Sequence, residues 1–254
     1  MEALMQKIAW PMTPPAPCSA FHLLTAAAGL ILSVFLAYVL SKHKKSSTDR
    51  ILFLCGVILG VSELVKQFFL YYIVNGKTYD WWYFPFQLCS LPMYFCLILP
   101  LVSKTKYGII FYTFMQDFNL LGGVMALAEP SGLFHPYWFL TLHGLLWHIL
   151  LIFIGLLIGF SGKSDHSLKG YFSTLPLFGI CCLIASAINI LAKPAGRADM
   201  FYISPYYPST QAVFHQIALK TGILAGNLIY LFSICLGGFL FHLAFSKLFP
   251  ENRE

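Results

Sequence analysis

Charge is what this sequence has least of. Only 10% of its 254 residues are Asp, Glu, Lys or Arg, whereas a soluble domain carries about 25%. So few charged side chains cannot cover a water-facing surface, and lipid is the expected solvent around most of the chain. No basic stripe with interleaved aromatics is present, so nucleic acid is not an expected partner. Disulfide spacing is missing too: the seven cysteines are odd in number and mostly sit inside apolar runs, which argues against a disulfide framework. HExxH, a zinc-ligand cluster and a glycine-rich phosphate loop are all absent, so neither a metal nor a cofactor is expected. The first 20 residues hold no apolar core, and the first long apolar run reads as a retained helix rather than a signal peptide. With no internal repeat or low-complexity tract, one domain over 1–254 suffices.

What is present is apolar length. Apolar residues make up 58% of the chain, in runs long enough to cross a hydrocarbon core of about 30 Å at roughly 20 residues each. Backbone polar groups cannot stay unsatisfied in lipid, so such runs must be helices. The reading is an all-α polytopic membrane protein, a seven-helix bundle with spans at 21–40, 51–74, 83–102, 107–128, 137–160, 171–192 and 220–246. Loops 41–50, 103–106 and 161–170 and the C-terminal tail collect ten of the sixteen basic residues. Positive loops stay inside, which predicts an outer N-terminus, a cytoplasmic C-terminus and a multi-pass place in a cell membrane. Tyr79, Trp81, Trp82, Tyr83, Tyr137, Trp138, Tyr202, Tyr206 and Tyr207 fall on the other side, as in an aromatic belt. The Pro- and Tyr-rich stretch 201–210 is expected to lie along that interface as a cap.

Polar side chains inside spans are costly and tend to face the bundle interior. Glu63, Lys66, Gln67, Gln87, Cys89, Ser90, Gln116, Asp117, Asn119, His143, His148, Asn189 and Asn227 are the candidates. Glu63 and Lys66, three apart, can neutralise one another; they read either as a structural pair or as an orienting group for a site elsewhere. Cys89 and His143 each lie six residues inside spans that enter from the outer side, or about 9 Å deep at 1.5 Å per residue. A thiol and an imidazole at one level fit the logic of a Cys–His nucleophile, with Asp117 or Asn119 orienting the imidazole. Each has an alternative as packing or interhelical glue. His135 and Glu129 form a loop pair that reads as solvated or as a metal or headgroup contact, and Gly122–Gly123 reads as close helix packing.

Four segments in order carry a resemblance: SELVK at 62–66, FPFQLCSLP at 84–92, MQDFNLLGGVMALAEP at 115–130 and WFLTLHGLLWH at 138–148. They resemble the bacterial YwaF-like integral membrane proteins, related to the eukaryotic transmembrane protein 164 family. The resemblance implies seven helices and, from the eukaryotic members, acyltransferase chemistry on ether phospholipids with a Cys–His pair. The histidine falls on His143. The family's cysteine directly follows the proline, where this chain has Phe86, and Cys89 stands three residues on. The distantly similar androgen-dependent lipid esterases use a threonine with a histidine, which keeps Thr141 and Ser90 as reserve nucleophiles.

The expected function is therefore a lipid acyltransferase or hydrolase acting on membrane phospholipids. Cys89 is the nucleophile, His143 the base, Asp117 or Asn119 the orienting group and Gln87 an oxyanion donor. Glu63, Lys66, Gln116, His148 and Asn227 are expected to contact substrate. The alternative is a lipid-binding or transport protein, or a membrane partner subunit, using the same polar cluster without chemistry.

Overall fold

The computed structural model describes residues 1–42 and 45–248. They form nine α-helices: α1 (Glu2–Lys7), α2 (Ala20–Ser41), α3 (Lys45–Phe69), α4 (Leu91–Val102), α5 (Gly108–Ala128), α6 (Trp138–Phe160), α7 (Leu168–Ala192), α8 (Ala212–Thr221) and α9 (Ile223–Leu248). Extended pairing among the described residues is limited to an isolated antiparallel bridge between Pro11 and Tyr137. Five stretches, Ala20–Ser41, Ser47–Val74, Trp138–Phe160, Leu168–Ala192 and Ile223–Leu248, are long and apolar enough to cross a membrane.

The molecule is inside-out relative to a soluble protein. Leu24, Leu101, Leu183, Leu191 and Leu224 are each more than 70% exposed, while Glu63, Gln116, Asp117, Asn189 and His242 are buried. Such a surface is stable only against hydrocarbon. The chain is a multi-pass membrane protein. At its centre runs α5, in which every residue from Tyr112 to Leu121 is buried; its Gln116, Asp117 and Asn119 point into protein rather than lipid.

Two expectations change. Residues 83–90 are not the start of a helix: they form 3-10 turns at Trp81–Tyr83 and Leu88–Ser90, and α4 begins only at Leu91. Pro85 and Pro92 explain this, because a residue before proline is pushed out of the helical region and Pro92 stands in the first turn of α4, where its missing N–H costs no bond. At 12 residues, α4 covers about 18 Å, well short of the hydrocarbon thickness. The stretch read as an interfacial cap is likewise different. Ala198, Asp199, Met200, Phe201, Ile203 and Ser204 are buried, and α8 follows them.

The loops gather at two poles. At one, Trp10 accepts from Trp138 N (3.0 Å), Pro136 accepts from Met12 N (3.0 Å), and Gln67 donates to the Tyr83 carbonyl (2.6 Å). At the other, Asp49 accepts from Tyr112 Oη (2.5 Å) and pairs with Lys163 (2.6 Å), and Asp165 N donates to Thr113 Oγ1 (2.9 Å). Between them α3 crosses α4 at Gly56, where a methyl group would stand 2.8 Å from Cys96 Cβ and 2.9 Å from the Leu97 backbone nitrogen. Of the pair Gly122–Gly123, Gly123 packs on Ile152 and the His148 carbonyl, while Gly122 faces open space. Gly56→Val therefore forces two backbones apart and is expected to cost about 1–3 kcal/mol by overpacking. Gly122→Ala should be neutral in the same thermal-unfolding assay in detergent.

Candidate functional site

The site is built where the unwound segment 84–90 meets α3 and α6. Glu63, Lys66 and Gln67 occupy one face of α3, as the i, i+3, i+4 spacing requires. Lys66 Nζ pairs with Glu63 Oε2 (2.8 Å), and Gln67 Nε2 donates to Glu63 Oε1 (2.7 Å) as well as to the Tyr83 carbonyl. The Glu63–Lys66 pairing read from the sequence is therefore formed, and it is anchored to the turn that precedes the segment carrying Cys89. Beyond Phe69, α3 widens into a π turn, Leu70–Val74, a feature often found near functional sites.

Cys89 lies in the 3-10 turn that leads into α4 and is partly buried. Its carbonyl accepts from Trp147 Nε1 (3.0 Å). The Trp147 indole stacks on the His143 imidazole, 5.3 Å between centroids at 29°. Trp147 is four residues after His143 on α6, so one face of a helix supplies both rings. The His143 ring faces the Ser62 backbone of α3, and its Nε2 is buried without a hydrogen-bond partner. The Lys66 ammonium is within electrostatic reach of Cys89, His135, His143 and His148. Tyr202 and Tyr230 share the surroundings of Cys89. The structure thus brings Glu63, Lys66, Cys89 and His143 into one region, joined through Trp147, which sequence reasoning passed over although it stands one helical turn from His143.

Other predicted residues have different occupations. Asp117 does not orient His143. Its carboxylate accepts from Gln116 Nε2 (2.9 Å) and meets His242 Nδ1 (3.0 Å). His242 Nε2 in turn bonds the Ser167 carbonyl (2.9 Å), which ties this cluster to the lysine-rich pole. Gln116 Oε1 accepts from Ser164 Oγ (2.5 Å) and lies 2.9 Å from His166 Nε2. Asn119 is buried on α5 with its Nδ2 unpartnered. Gln87 is engaged with the hairpin: its Nε2 donates to the Asp199 carbonyl (2.9 Å) and its Oε1 accepts from Phe201 N (2.7 Å). His148 Nδ1 bonds the Gly144 carbonyl one turn back (2.8 Å). Thr141 Oγ1 caps the backbone of His135 (2.9 and 3.1 Å), and Ser90 Oγ accepts from Gln87 N (3.3 Å). Burial, with Lys66 adding to it, holds the His135 imidazole below its ordinary pKa. Among the described residues no group of three His, Cys, Asp or Glu side chains is placed to hold a metal.

Three of the amides predicted from the sequence clamp one buried hairpin. Besides Gln87, Asn189 donates to the Met200 carbonyl (3.1 Å) and accepts from Met200 N (2.6 Å), and Asn227 donates to the Ser204 carbonyl (3.1 Å). The need is local: Phe201 and Tyr202 hold φ of 58° and 57°, a left-handed conformation that costs an aromatic residue about 1–3 kcal/mol. Asn189→Leu keeps the volume but leaves both Met200 groups bare, each worth about 1–3 kcal/mol when buried unsatisfied. The expected result is a lower thermal midpoint, with proteolytic nicking confined to 198–204.

No curated protein and no solved structure matches the chain. The profile of the TMEM164 family matches residues 17–243, a span that contains α2 to α7, the clamped hairpin, Cys89, Trp147 and His143 together. This multi-pass membrane protein belongs to the TMEM164 family.

Proposed function

We propose that the chain is a membrane-embedded enzyme that transfers or hydrolyses phospholipid acyl groups, with Cys89 as nucleophile and His143 as base. The observation that carries this reading is the His143 nitrogen. A buried ring nitrogen without a partner is costly, and the indole stacked on that same imidazole holds the carbonyl of Cys89. In the reaction, His143 takes the thiol proton, directly or through one water. The sulfur bonds to the ester carbonyl carbon, the ester C–O bond breaks, and the proton passes to the leaving alkoxide. The thioester is then discharged to a second hydroxyl or to water. Glu63 and Gln67 hold Lys66 in place, and Lys66 supplies positive charge near the oxygen that becomes anionic.

The topology that suits this chemistry has seven crossings: α2, α3, the turns 81–90 with α4, α5, α6, α7 and α9. An outer N-terminus and a cytoplasmic C-terminus follow from the lysine-rich pole. The aromatic pole then stands at headgroup level, close to phospholipid ester carbonyls. A bacterial plasma membrane agrees with the YwaF-like sequence segments.

The test uses purified protein in lipid nanodiscs with an isotope-labelled phospholipid, reading acyl exchange and free fatty acid by mass spectrometry. Cys89→Ala and His143→Ala are each expected to lose at least 100-fold in turnover, in line with removal of a nucleophile or a general base. Trp147→Phe keeps the ring stack but frees the Cys89 carbonyl, and should lower turnover by about 10-fold. Full turnover in folded Cys89→Ala and His143→Ala proteins would remove the enzyme reading and leave a lipid-binding or transport role for the same cluster.

A further inference from the structure

The hairpin beside the site contains an unbalanced pair of oxygens. Asp199 Oδ1 accepts from Ser204 N (2.9 Å), and Asn227 Nδ2 donates to the Ser204 carbonyl. The two side chains thus grip the same residue, one from the hairpin and one from α9. Each leaves one oxygen bare: Asp199 Oδ2 and Asn227 Oδ1 are buried without a hydrogen-bond partner. Asp199 is 0% and Asn227 7% exposed. With Asp199 ionised, both bare atoms are acceptors and neither can serve the other. A proton on Asp199 turns its bare oxygen into a donor and removes an uncompensated buried charge.

We propose that Asp199 is a proton-binding latch: protonated, it keeps the 198–204 hairpin seated beside the Cys89 segment, and ionised, it loosens that seat.

The groups facing it fit a carboxyl without a committed counter-ion. Arg197 lies near it in sequence, but its guanidinium stands over the rings of Trp82 (5.6 Å) and Tyr207 (4.6 Å). Tyr202 and Tyr207 from its own segment and Tyr230 from α9 are the other titratable neighbours. From the remaining elements it meets neutral amides, Gln87 on its own carbonyl and Asn189 on that of Met200. Burial pushes the Asp199 carboxyl up to about 6, against the opposing pull of the Ser204 N–H and Arg197. A carboxyl with a raised folded-state value stabilises the fold fully below about pH 4, and that contribution is lost as pH rises through about 6. The coupling to the site is direct. Gln87 holds both the Asp199 carbonyl and Phe201 N and sits two residues before Cys89. The left-handed Phe201 and Tyr202 have an alternative conformation to relax into once the seat weakens.

The inference stands on the hairpin and is independent of any chemistry at Cys89; its readouts do not use turnover. The first is the thermal midpoint of the full chain in nanodiscs, followed by tryptophan fluorescence from about pH 4 to about pH 8, for wild type and Asp199→Asn. The carboxamide keeps the shape and a donor but cannot ionise. The wild-type midpoint is expected to fall relative to Asp199→Asn between about pH 4 and about pH 6 and to level off above that, with the two close together at the acid end. Parallel profiles, or an Asp199→Asn protein that is less stable at every pH, overturn the latch. Should Asp199→Asn fail to fold, pH-difference infrared spectroscopy of the wild type decides instead. A protonated-carboxyl stretch that disappears near pH 6, and whose frequency shifts in Asn227→Leu, supports the proposal. No such loss in that range overturns it.

Discussion

Every peptide group that leaves helical geometry inside lipid must find its hydrogen bonds within the protein. That constraint governs this molecule because two segments break the helical pattern within the bundle, 81–90 and 198–204. They share one solution. Gln87 belongs to the first and satisfies the second, while Asn189 and Asn227 reach the hairpin from α7 and α9. Remove the amides and the hairpin carries bare backbone in a place where water is scarce. Remove the hairpin, and Gln87 and the turn holding Cys89 lose their fixed position. The site's geometry is thus a consequence of backbone satisfaction as much as of side-chain chemistry.

Helix packing supplies the second support. α5 is buried from Tyr112 to Leu121 and presents Gly123 to Ile152 and the His148 carbonyl of α6, so the helix bearing His143 and Trp147 is held at close range without a large side chain between them. Stacked rings continue this order: Phe118 lies on Phe114 and Phe178 (4.5 and 5.2 Å), and Phe178 on Phe201 (6.3 Å). Aromatic contacts of this kind are each worth about 0.5–1.5 kcal/mol beyond burial. They connect the core of α5 and α7 to the strained tip of the hairpin, and so share the load carried by the amides.

Much of the fold was legible because lipid imposes a simple rule on sequence: long apolar runs become helices, and α2, α6, α7 and α9 lie close to where hydropathy places them. The failures have particular causes. Hydropathy alone treats FPFQLCSLP as the start of a span, yet Pro85 and Pro92 were there to say that 83–90 could not be continuous helix. The stretch 201–210 reads as interfacial because its tyrosines suit a headgroup layer, and its first residues are the ones that turn inward. Nothing local signals that the Asn189 and Asn227 amides, far apart in sequence, would draw that loop inward. For the site, the i, i+3 spacing of Glu63 and Lys66 gave their pairing, whereas the depth of Cys89 was reckoned along a helix that residues 83–90 do not form. Depth could not assign Asp117, whose partner His242 lies 125 positions away on another helix.

The two polar cores differ in a way that separates support from chemistry. At the lysine-rich pole His242 has Asp117 on one ring nitrogen and the Ser167 carbonyl on the other, Gln116 is held by Asp117, Ser164 and His166, and Asp49 holds Lys163 and Tyr112. This network fixes the 161–167 loop against α5 and α9; the Thr48 hydroxyl beside Asp49 is buried without a partner. At the aromatic pole the bare atoms are more numerous, since His143 Nε2, Asp199 Oδ2 and Asn227 Oδ1 are all buried and unpaired. A buried polar atom left bare costs about 1–3 kcal/mol. Three such atoms at the pole that holds Cys89 are the physical reason to place function at this end of the molecule.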